Sequence, residues 1–154
     1  MAELYYFNVP GITWLIVAVL CAVILLATYM LIIPLTACRI VVNDSCVSLK
    51  AGAAVPKIRF CSGDVEGMTI LEGLPKELRP TLRLNGYSLP GFKWGWFKLS
   101  NGAKAFVAVS GSNGKYIVVL LKDGTYVIIK PKNPDKVFVR LAAIGFKIRW
   151  PLRG

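Results

Sequence analysis

Residues 12–33, ITWLIVAVLCAVILLATYMLII, carry no charge, and beyond them the pattern changes abruptly to short apolar runs separated by turn residues. At 1.5 Å per residue the uninterrupted block makes a helix long enough for the roughly 30 Å hydrocarbon core of a bilayer. Pro10 and Gly11 precede the block and Pro34 follows it, residue types that start or stop helices, so the spacing predicts a helix closed by Pro34. Tyr5, Tyr6, Phe7 and Trp14 supply rings for one membrane interface. Ala18 and Ala22 form a small-xxx-small pair, and Thr28 and Tyr29 add polar groups with which a neighbouring helix can bond in lipid. The organisation read from this pattern is an extracytoplasmic segment over 1–11, a transmembrane helix over 12–35, a β domain over 36–145 and a basic amphipathic tail over 146–154.

Within the domain the runs alternate as strands do. RIVV (39–42) turns at Asn43-Asp44 into CVSLK (46–50), and KIRFC (57–61) follows the small-residue loop AGAAVP, with MTIL (68–71) a weaker fourth run. FKWGWFKL (92–99) meets AKAFVAV (103–109) across Asn101-Gly102, and KYIVVLL (115–121) meets TYVII (125–129) across Asp123-Gly124. Asn-Gly and Asp-Gly predict hairpins with type I′ turns, which need positive φ at both central residues, and two hairpins in succession predict a meander. Asn133 is placed as an N-cap, Pro134 fits the first helical position and Asp135 complements the dipole, so a helix is expected over about 134–144. Its face of Val137, Phe138, Leu141 and Ile144 is expected to cover one end of the β layer, with Gly145 at the C-terminal cap.

This succession, seven or eight antiparallel strands and one capping helix, resembles the bacterial PH-like (pleckstrin-homology-like) domain family. The resemblance covers roughly residues 39–144 and is most specific in RLNGYSLPGFKWGWFKLSNGAKAFV (83–107), with Arg83, Asn85-Gly86, Pro90-Gly91, Gly95, Phe97 and Asn101-Gly102 in the family's order. It implies a mainly β fold, an antiparallel barrel or sandwich, attached here to an N-terminal transmembrane helix. It brings no catalytic residues and no cofactor, and a fold of this kind hosts many activities. Eukaryotic PH domains carry a Trp in their C-terminal helix, whereas Trp150 falls beyond the helix expected here, which weakens any transfer of phosphoinositide binding.

Charge adds a direction. The formal charge is +11, and all 19 Lys and Arg lie at or beyond Arg39 with seven of the eight acids, which leaves +12 after the apolar helix. The eleven residues before the span hold one Glu and no Lys or Arg, so the N-terminus is expected outside and the domain in the cytoplasm. Beside an anionic leaflet each juxtamembrane cation contributes about 1 kcal/mol of attraction. Leu35-Thr36-Ala37-Cys38 resembles a lipoprotein lipobox, but the basic n-region is absent and the apolar run is too long for an h-region.

The chain contains no His and no Gln. Without imidazole, Ser-His-Asp and Cys-His nucleophile systems and the common zinc sites are excluded, so no enzyme, metal or cofactor is expected. Asp64, Glu66 and Glu72 are the acids on which an unexpected activity would depend. Cys21 lies in the apolar block; Cys38, Cys46 and Cys61 match no metal spacing. A hairpin that sets Lys50 opposite Lys57 also sets Cys46 opposite Cys61, within disulfide reach. A cytosolic disulfide fits a hyperthermophile, as do the missing Gln and the Lys, Val and Ile content, so a prokaryotic, thermophilic source is expected.

Several residues stand out as contact candidates. Period-2 alternation points Phe92, Trp94 and Trp96 to one face and Lys93, Gly95 and Phe97 to the other; the three rings either meet a protein partner or the membrane, or pack on the domain's own helix and loops. Phe146, Ile148 and Trp150 alternate with Lys147 and Arg149 in a tail suited to a partner, the domain itself or head groups. Lys50, Lys57 and Arg59 copy the K-xn-K-x-R spacing that chelates phosphate, although 19 cations produce such spacings by accident. Two functions remain: a non-catalytic, membrane-anchored interaction protein, a cytoplasmic scaffold or accessory subunit joined to other membrane-protein subunits or to itself, and a module that reads anionic head groups. Neither nucleic acid nor a small-molecule substrate is expected.

Overall fold

The computed structural model of the chain describes residues 10–36, 38–52, 55–111 and 113–149. Helix α1 covers Gly11–Thr36. Its stretch Gly11–Tyr29 has a mean hydropathy of 2.6, and none of it is buried by the rest of the protein. Pro34 lies inside the last turn instead of closing the helix. A proline there removes only its own N–H, and the helix has nearly ended.

Nine strands follow, arranged in two sheets. Strands β1 (Arg39–Val42), β2 (Cys46–Lys50) and β3 (Ile58–Cys61) make a three-stranded antiparallel sheet. The register pairs Cys46 with Cys61, as the hairpin parity predicts, and the two are disulfide-bonded. Strands β4 (Val65–Leu71), β5 (Pro80–Leu89), β6 (Phe92–Leu99), β7 (Lys104–Ser110), β8 (Tyr116–Leu121) and β9 (Tyr126–Lys130) form the second sheet, in the order β4-β8-β9-β7-β6-β5. The sheets are open, so the architecture is a sandwich, with helix α2 (Pro134–Ala143) packed against it.

Three local expectations are corrected. First, β9 lies between β8 and β7 and runs parallel to β7, so the two hairpins do not make a meander. Turn signals determine which strands are joined by a tight connection, but not which joined pairs lie side by side. Second, among the described residues only glycines have positive φ, so the turns are not type I′. Instead Gly102 N–H donates to Leu99 O (2.9 Å) and Leu99 N–H to Ala103 O (2.8 Å), a three-residue loop with Gly102 at φ +83°. The Asn101 carboxamide oxygen accepts the Ala103 N–H at 3.0 Å, and Asp123 does the same for Thr125 at 2.8 Å, so both side chains brace a turn by bonding two residues on. Third, Asn133 stands at the start of α2 but its side chain makes no capping bond; its carbonyl accepts the Val137 N–H at 3.2 Å.

Strand β5 went unpredicted. Most of its positions are exposed, so it lacks the alternation of burial that marks a strand with one face in a core. Strand β4 begins earlier than expected, at Val65, with a bulge between Val65 and Gly67.

Both faces of the six-stranded sheet are apolar. On the near face Phe106, Ile117, Val119, Val127 and Ile129 meet Val47, Leu49 and Phe60 of the small sheet and Leu141 of α2. Val137, Phe138 and Ile144 pack against the same core, so the predicted face of α2 is the one it buries. On the far face Val107, Val118, Leu120 and Ile128 are roofed by Leu78 and Leu74 of the β4–β5 connection. This explains why β8 is buried at every position although it belongs to one sheet.

Candidate functional site

The alternation of β6 is as read from the sequence, with Phe92, Trp94 and Trp96 on the near face and Phe97 in the far-face core. Of the two outcomes for the rings, packing on the domain itself is the one seen for Trp94, which is 4% exposed, with its indole N–H donating to Pro56 O at 2.9 Å. Trp94 and Trp96 both meet Phe106 edge to face, at 5.8 and 5.2 Å between ring centroids. Trp96 is half-buried, with the Lys104 ammonium 4.4 Å from its ring centroid, and Phe92 is half-buried against the same core.

The tail does not behave as one amphipathic edge. Phe146 is 3% exposed and meets Phe60 edge to face at 5.9 Å, while Ile148 is 65% exposed. The backbone explains this: Met68 N–H donates to Lys147 O (2.8 Å) and Arg149 N–H to Met68 O (3.0 Å), so the tail lies along β4 as a short parallel addition. Gly67 makes room for it, since a Cβ there would stand 3.1 Å from the Arg149 Cβ and carbonyl oxygen. Lys147 and Arg149 are exposed, and Trp150 lies outside the described residues, as do Tyr5, Tyr6 and Phe7.

On the small sheet Val47, Leu49 and Phe60 point into the core, which leaves Arg39, Lys50 and Arg59 on the outer face. Arg39 is directly opposite Lys50, and Arg59 is exposed opposite Ser48 on the next strand. Like charges opposite one another across an antiparallel pair repel, so an anion at this face is favoured. Lys57 is exposed just before β3. The Cys46–Cys61 bond crosses the same outer face.

The three acids are dispersed. The Asp64 carboxylate accepts the Cys61 N–H at 3.0 Å, which gives it a structural role at the turn after β3. Glu72 is exposed in the β4–β5 connection, and Glu66 is half-buried on β4. Among the described residues no group of three His, Cys, Asp or Glu is placed to hold a metal ion. Lys115 bonds Asp135 at 2.9 Å, tying β8 to α2, and that carboxylate raises the pKa of the Lys115 ammonium. Partial burial raises the pKa of the Cys38 thiol, so it stays protonated at neutral pH.

The sheet edges differ from one another. The β4 edge carries the tail, whereas β5 has no strand on its outer side among the described residues. Leu82 and Leu84 on this ten-residue edge are 58% and 51% exposed, and Leu89 is exposed as well. The signal for them in the sequence is the L-x-L of Leu82 and Leu84, which periodicity alone does not separate from core.

A two-sheet β sandwich covered by one C-terminal helix is the architecture of a PH-like module, and here an apolar helix precedes it. The bacterial PH domain family model matches residues 39–143, from the first residue of β1 to the last of α2, and the chain belongs to that family. Neither the curated proteins nor the solved structures contain a match to the chain.

Proposed function

We propose that the chain is a non-catalytic, membrane-anchored interaction module: α1 spans the bilayer, and the PH-like domain presents the β5 edge on the cytoplasmic side to another membrane-protein subunit or to a second copy of itself. The observation that carries this reading is the β5 edge, which has no strand on its outer side among the described residues and holds leucines in solvent. Pro80 and Pro90 bracket the segment, so pairing there is limited to one finite stretch instead of propagating along the chain. Arg83 on the same strand further disfavours indiscriminate pairing.

The test is the mass of the intact protein in mild detergent, with the partners that accompany it. A discrete complex is expected, and Leu82→Lys with Leu84→Lys is expected to reduce it to a single chain. A single-chain mass that the double variant leaves unchanged rejects the proposal.

Anionic head groups are the second reading, supported by the opposed Arg39 and Lys50 with Arg59 beside them, which begin three residues after α1 ends. In native mass spectrometry, retention of anionic lipid that falls with Lys50→Ala and Arg59→Ala supports it, and retention indifferent to both variants rejects it.

A further inference from the structure

The far face of the six-stranded sheet is roofed at Leu78 but opens at one end. There Leu74 from the β4–β5 connection and Pro80 at the start of β5, with Val107, Val109 and Tyr116 from the same sheet, wall a recess of about 210 Å3. Leu74, Pro80, Lys93 and Tyr116 also border an outer cleft of about 600 Å3, whose rim carries Arg79 and Glu72. An apolar pocket with a few charged groups converging at its entrance is the usual form of a small-molecule site.

The charges at this entrance are arranged by strand register. Val109 of β7 pairs with Lys93 on one side and with Lys130 on the other, so two cations flank one apolar residue on the same face. Lys130 is held in place: its ammonium donates to the Asn113 carbonyl and lies 5.5 Å from the Tyr116 ring centroid. Lys93 is half-buried at the neck between cleft and recess, and neither it nor Arg79 has an ion-pair partner among the described residues. Two cations, Lys93 and Arg79, therefore line the cleft with one exposed carboxylate, Glu72, and Lys130 stands one strand beyond Val109. An ammonium beside apolar walls gains a charge-assisted hydrogen bond when an anion reaches it.

We propose that this cleft binds a small anionic amphiphile, a carboxylate on an apolar body, with its head group between Lys93 and Arg79 and its body in the recess walled by Leu74, Val107, Val109 and Tyr116. The site is on the opposite face of the large sheet from the small sheet and α2, and it does not depend on the direction of α1.

The test uses the full chain in zwitterionic nanodiscs and 2-naphthoate as the probe, followed by fluorescence polarisation with empty discs as reference. Saturable binding is expected, with 2-naphthylmethylammonium at least about tenfold weaker because it carries the same ring system on a head group of opposite charge. Lys93→Glu is expected to weaken naphthoate by at least about tenfold, Leu74→Trp to abolish saturable binding by filling the recess, and Lys136→Glu, exposed on α2, to leave it unchanged. Circular dichroism confirms that each variant is folded, and Lys93→Glu, which alters a side chain at the cleft mouth, decides the matter if Leu74→Trp is not. Absent saturation, equal affinity for the ammonium probe, or indifference to Lys93→Glu overturns the proposal. So does equal weakening by Lys136→Glu, which would assign the effect to the overall positive field, and so does competition from phosphatidylglycerol built into the discs, which would assign the cleft to lipid.

Discussion

Gly86 and Gly95 face each other across β5 and β6 with φ of +128° and +131°, and the backbones there come too close for any side chain. A Cβ on Gly86 would stand 2.1 Å from the Trp94 carbonyl oxygen, and one on Gly95 would stand 2.2 Å from that of Asn85. Positive φ and backbone contact penalise the same substitution, and backbone atoms cannot rotate away as a flexible side chain does. Gly86→Ala is expected to lower unfolding stability by on the order of 3 kcal/mol in thermal melts followed by near-UV circular dichroism. Gly63→Ala, where nothing lies within 4 Å, is the matched control and is expected to stay within about 0.5 kcal/mol. Comparable losses in both variants would show that the close approach is not what matters.

At the scale of elements, the β2–β3 hairpin is held twice, by its ladder and by the Cys46–Cys61 bond across 15 residues. Closing a loop of that size removes disorder from the unfolded chain, an effect of about 3 kcal/mol in the chain-entropy description. The double substitution Cys46→Ser, Cys61→Ser is therefore expected to lower stability by about 2–4 kcal/mol, and a reducing agent to destabilise the parent but not the variant. An unchanged midpoint in both comparisons would mean that the two thiols do not cross-link. This pairing was legible in the sequence because parity along one short hairpin determines it. The fate of the tail was not: Phe146 and Ile148 have the same parity, yet one is core and the other is in solvent. What separates them is the turn after α2 and the bonds to Met68, which come from residues far away along the chain.

For the whole molecule, two features argue opposite orientations. By the positive-inside rule the cations after α1 favour the cytoplasmic placement proposed above, whereas a disulfide is commonest in oxidising compartments. The charge rule acts during insertion and is read within about 15–20 residues of the helix, where Arg39 and Lys50 lie. The bond forms afterwards, in whatever compartment the domain then occupies. On that ordering the proposed cytoplasmic placement follows the flanks. Protease applied to sealed, right-side-out cells is expected to spare the domain, and its digestion would place the domain outside.

Read alone, the sequence determined what depends on near neighbours: an uncharged run long enough to cross a bilayer, eight of nine strands, the capping helix, the disulfide register and the two sides of β6. Each follows from a period of 2 or 3.6 residues or from an unbroken apolar length, properties a chain carries before it folds. The tertiary structure decided which elements lie beside one another. It set β9 between β8 and β7, buried Trp94 while leaving Leu82 in solvent, and brought Lys93 and Arg79 to the cleft that opens on one apolar recess. Those outcomes rest on contacts between distant segments, and the hydrophobic drive that forms them rewards buried area without specifying which partner supplies it.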